Sequence, residues 1–111
     1  VWESLLAADE LEKQGISCEI INIHTIKPLD EEIILKSVEK TGKIVTAEEH
    51  NYLGGLGESV AGMLARKRPT PQEFVAVQDT FGESGTPAEL MHKYKIDSFA
   101  VIEAVKRILE R

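Results

Sequence analysis

The sequence predicts an α/β fold with three layers, α/β/α, around a mostly parallel sheet. Two observations carry that expectation. Helical and strand-like patterns alternate three times along the chain. The strand candidates are short and rich in β-branched residues, and Gly, Pro or capping residues punctuate the segments between them.

In chain order, Trp2, Leu5, Leu6, Ala8 and Leu11 recur at helical spacing over residues 1–14, and Gly15 supplies the stop. Residues 18–23, Cys-Glu-Ile-Ile-Asn-Ile, read as a strand. Pro28 breaks the chain, and Asp30 is placed to cap a helix over 31–40, with Leu29 and Ile34 at the positions of a hydrophobic staple. Thr41-Gly42 ends that helix, and residues 43–47 form the next strand. Leu56, Val60, Met63 and Leu64 mark a third helix. Arg66-Lys67-Arg68 then puts cations at its C-terminus, where the macrodipole favours them, rather than forming a basic patch. After the Pro69-Thr70-Pro71 break, residues 74–77 form a third strand. Thr86-Pro87-Ala88-Glu89 is a capping box with proline at the first helical position. Asp97 is expected to cap a separate last helix with the stripe Phe99, Ile102, Val105 and Leu109.

Three short strands make a narrow sheet for five helices, and the pattern opens inside an amphipathic helix without a strand to feed it. The expectation is therefore one domain over 1–111 that lacks its N-terminal strand. A length of 111 residues suits one domain with a core of its own. A net charge of −6 argues against a general nucleic-acid surface, which needs clustered cations. Cys18 is the single cysteine, which excludes an intrachain disulfide and a cysteine-based metal site; it is expected to be a small buried hydrophobe. No signal peptide or membrane-length apolar run is visible, so a soluble, cytoplasmic chain without a membrane partner is expected.

In parallel sheets the loops at the carboxyl ends of the strands gather ligands and partners. Here those loops hold His24, then Glu48, Glu49, His50, Gly54, Gly55 and Gly57, then Asp79, Glu83 and Ser84. A phosphate cradle is the tempting reading of the glycines. However, Gly54-Gly55-Leu56-Gly57 lacks the dinucleotide spacing and no Gly-Lys-Ser/Thr follows. Glu48, Glu49 and Glu58 would also repel the anion. A turn that lets a helix pack closely is the better reading. Adjacent Glu48-Glu49-His50 side chains on extended backbone point apart, which disfavours a metal site. Gly82-Glu83-Ser84-Gly85-Thr86 misses the nucleophile-elbow pattern at its last position, so Ser84 is read as a turn residue. His92 is expected to lie on a helix as a solvated or edge-packed side chain.

Four segments, taken together and in order, resemble the C-terminal domain of transketolase, including its separately encoded form. They are His24-Thr25-Ile26-Lys27-Pro28-Leu29-Asp30, Lys43-Ile44-Val45-Thr46-Ala47-Glu48-Glu49-His50, Gly54-Gly55-Leu56-Gly57 and Asp79-Thr80-Phe81-Gly82-Glu83-Ser84-Gly85. The resemblance implies an accessory, dimer-supporting domain of an enzyme that moves a two-carbon ketol unit between sugar phosphates. Thiamine diphosphate and Mg2+ would be held by catalytic domains outside this chain. No family catalytic, cofactor or metal residue maps onto it, so the fragment is expected to be inactive alone. The partners implied are those catalytic domains and, for the complete enzyme, a second copy. It also implies a strand between the counterparts of residues 18–23 and 43–47. Alternatives from related enzymes are the β subunit of 2-oxo acid dehydrogenase E1 and deoxyxylulose-phosphate synthase. The alternative from another class is an independent nucleotide- or anion-binding module.

Overall fold

A computed structural model describes residues 2–21, 29–49, 55–77 and 86–110, with the side chains of Trp2, Glu49, Leu90 and Tyr94 set aside. Its element order is α1 (Trp2–Lys13), α2 (Glu31–Thr41), β1 (Ile44–Glu49), α3 (Gly55–Lys67), β2 (Gln72–Val77) and α4 (Pro87–Leu109). β1 and β2 pair in parallel from Ile44↔Gln72 to Glu49↔Val77, with α3 as the crossover between them.

Local signals set most boundaries. Asp30 Oδ1 accepts from Ile33 N at 3.4 Å, capping α2. Gly42 closes that helix in the left-handed region, at φ 76°, and its N–H donates to Val38 O at 2.7 Å. Gly15 does the same duty after α1 at φ 83°. Thr86 Oγ1 accepts from Glu89 N at 3.2 Å with proline in the first turn of α4.

Alternation along the strands separates two cores. Val45 and Ala47 of β1, with Val75 and Val77 of β2, pack on Ala7 of α1 and on Val101 and Ala104 of α4. Ile44 packs on the opposite cluster of Ile34, Val38, Val60, Met63 and Leu64 from α2 and α3. Burying each of the large aliphatic side chains is worth about 1.5–3 kcal/mol. The result is the predicted helix–sheet–helix layering. Among the described residues, no helix is long and apolar enough to cross a membrane.

Three expectations are corrected. Residues 16–21 run without strand pairing, and Cys18 is exposed rather than buried. A ladder needs a neighbour. A cavity of about 280 Å3 lies between this segment and β1, and among the described residues no strand fills it. Partial shielding there pushes the Cys18 thiol pKa up. Second, Asp97 caps no helix: α4 runs unbroken from Pro87 to Leu109, and Asp97 is buried within it. No glycine or proline after Pro87 interrupts its helical propensity. Third, its buried face is Val101, Ala104 and Ile108, whereas Phe99 and Leu109 are 62% and 47% exposed. With α4 continuous, its azimuth is set by Val101 and Ala104 against β2 rather than by a fresh start at Asp97.

Lys67, in the last turn of α3, donates to Glu31 in the first turn of α2. That hydrogen bond, with the charges of Lys67 and Arg66, holds the Glu31 carboxyl below its usual pKa. A lowered carboxylate pKa gives stability that is present above the unfolded value, roughly 4.3, and lost as pH falls through the folded one. Glu31→Gln is therefore expected to lower the urea midpoint slightly at pH 7. The difference from wild type should narrow as pH falls below the unfolded value and be lost once the folded carboxyl is protonated, as measured by denaturant unfolding at stepped pH.

Candidate functional site

The described part of the site is built where the end of β1 meets the start of α3. The first N–H groups of a helix lack intrahelical partners. Here a side chain from the preceding strand supplies them: Glu48 Oε2 accepts from Leu56 N at 2.8 Å and Glu48 Oε1 from Gly57 N at 3.2 Å. The positive end of the α3 dipole is thus met by a carboxylate that belongs to the fold.

A second polar link lies beside it. Gln72 Nε2 donates to Gly57 O at 3.1 Å and to Thr46 Oγ1 at 3.2 Å, tying the first turn of α3 to both strands. Thr46 is buried, and the register puts it beside Phe74. The Phe74 ring occupies the space that a side chain at position 57 would need. A Cβ on Gly57 would stand 2.4 Å from Phe74 Cδ2, 2.6 Å from Phe74 Cε2 and 3.2 Å from Glu48 Oε1. Gly57 is buried, so its lack of a side chain is what lets α3 approach this closely.

Of the residues singled out in the sequence, the structure brings Glu48 and Gly57 into direct contact. Gly55 is the exposed first residue of α3, and Glu49 ends β1 opposite Val77. His50, Gly54, Asp79, Glu83 and Ser84 lie outside the described residues, as does His24. His92 is exposed on α4. Gln72 and Phe74 were not anticipated. Their signal was parity: Gln72 and Phe74 alternate with Val75 and Val77, which places them on the α3 face of β2.

Chemically, this arrangement holds a helix, with the Leu56 and Gly57 N–H groups at its start taken by Glu48. A diphosphate at the α3 N-terminus would have to displace Glu48 and face Glu58, which stands in the same first turn. The N-terminus of α3 therefore does not fit thiamine diphosphate. Among the described residues, no three His, Cys, Asp or Glu side chains group closely enough to hold a metal ion.

The family model for the C-terminal domain of transketolase matches residues 1–101. The chain belongs to the transketolase C-terminal domain family. Over 111 residues it is 44% identical to the 6-deoxy-6-sulfo-D-fructose transketolase subunit SqwH of Clostridium sp. (strain MSTE9), covering 100% of this chain and 34% of that one. A putative transketolase C-terminal section of Methanocaldococcus jannaschii is 40% identical, with 99% of this chain and 33% of that one covered. Mouse transketolase is 39% identical over 110 residues, which are 98% of this chain and 18% of the mouse protein. Among solved structures, a split-gene transketolase described as an inactive β4 tetramer superposes with a TM-score of 0.77 at 42% identity. That match covers 97% of this chain and 35% of the neighbour. The chain thus spans about a third or less of the length of these transketolase relatives.

In this transketolase C-terminal domain, Glu48→Ala would strip the carboxylate from two N–H groups of α3. The expected cost is about 1 kcal/mol, or a Tm lower by about 4–8 °C in a thermal melt. Glu48→Gln, which keeps an acceptor oxygen, should recover part of the loss.

Proposed function

We propose that this chain is the accessory C-terminal domain of a thiamine diphosphate- and Mg2+-dependent transketolase of the pentose phosphate pathway in the cytoplasm. It supports the dimer of the complete enzyme and positions catalytic domains that lie elsewhere. Those domains hold the cofactor and move the two-carbon ketol unit; this chain alone has no turnover. Its contact surface is formed by the loops that follow the strands, with Glu48, Glu49, His50, Gly54, Gly55, Gly57, Asp79, Glu83 and Ser84 as candidate contributors. The observation that carries this reading is the Glu48 carboxylate seated on α3. It makes the start of α3 a packing joint, which argues against an independent nucleotide- or anion-binding module. The transketolase names of the relatives favour this enzyme over the dehydrogenase and deoxyxylulose-phosphate synthase alternatives.

The test is reconstitution of this chain with the pyrophosphate- and pyrimidine-binding domains of a transketolase. A ketose phosphate and 6-deoxy-6-sulfo-D-fructose, the sugar in the SqwH name, would serve as parallel donors. Ketol transfer is expected from the mixture and from neither part alone. Isothermal titration of this chain with thiamine diphosphate or a nucleotide should show no saturable binding tighter than about 1 mM, an affinity of about −4 kcal/mol. Tighter binding would favour the module.

A further inference from the structure

We draw no further inference here: the strongest candidate, the exposed apolar patch of Met91, Ile96 and Phe99 on the outer face of α4, carries nothing because nothing in the structure shows what covers it.

Discussion

The approach of Gly57 to the sheet is the constraint on which the rest of the structure depends. With only a hydrogen on its Cα, this residue lets the first turn of α3 settle against the Phe74 ring. At that distance Glu48 can reach the N–H groups of Leu56 and Gly57, and Gln72 can reach the Gly57 carbonyl. These are short-range, directional bonds, so a displacement of α3 by an ångström would weaken all of them together. Val60, Met63 and Leu64 of the same helix pack with Ile34 and Val38 in one core cluster. Close packing, two donors satisfied by one carboxylate and a closed anion seat are thus one arrangement seen from three directions.

The two-sided core follows from the same frame. Once α3 fixes β1 against β2 in parallel, strand parity sends Val45, Ala47, Val75 and Val77 toward α1 and α4, and Ile44 toward α2 and α3. The cavity beside β1 is lined by side chains from both helix layers, among them Leu11 and Val101 on one side and Ile34 and Val60 on the other. An accessory role for the domain suits this construction, because its interior polar groups are engaged in holding elements together.

What could be read from the sequence was what is decided locally. The caps at Asp30 and Thr86 and the left-handed stop at Gly42 depend on residues within a few positions, so composition and spacing disclose them. The staple of Leu29 on Ile34 belongs to the same class, and both join one cluster. The four family-like motifs were legible as a set, and the family model bears out that resemblance. Non-local decisions were not legible. Residues 18–23 have strand composition, but strand state needs a neighbour that lies outside the segment itself. Asp97 has capping chemistry, yet a helix already propagating from Pro87 meets no stop before it. Phe99 looked like core because of its size, whereas Ala104, which is fully buried, is what the close contact accepts. At the site, Glu48 stood out by its proximity to the glycines, but Gln72 and Phe74 come from a strand some fifteen residues beyond Gly57. Only the sheet register brings them there.

The most direct measurement is a thermal double-mutant cycle on Gly57→Ala and Phe74→Ala. If Gly57 is required because the Phe74 ring fills the space above it, Gly57→Ala alone costs about 1–3 kcal/mol of overpacking strain. In the Phe74→Ala background, where the ring is gone, most of that cost disappears. An equal loss in both backgrounds, or no loss in either, would contradict the account.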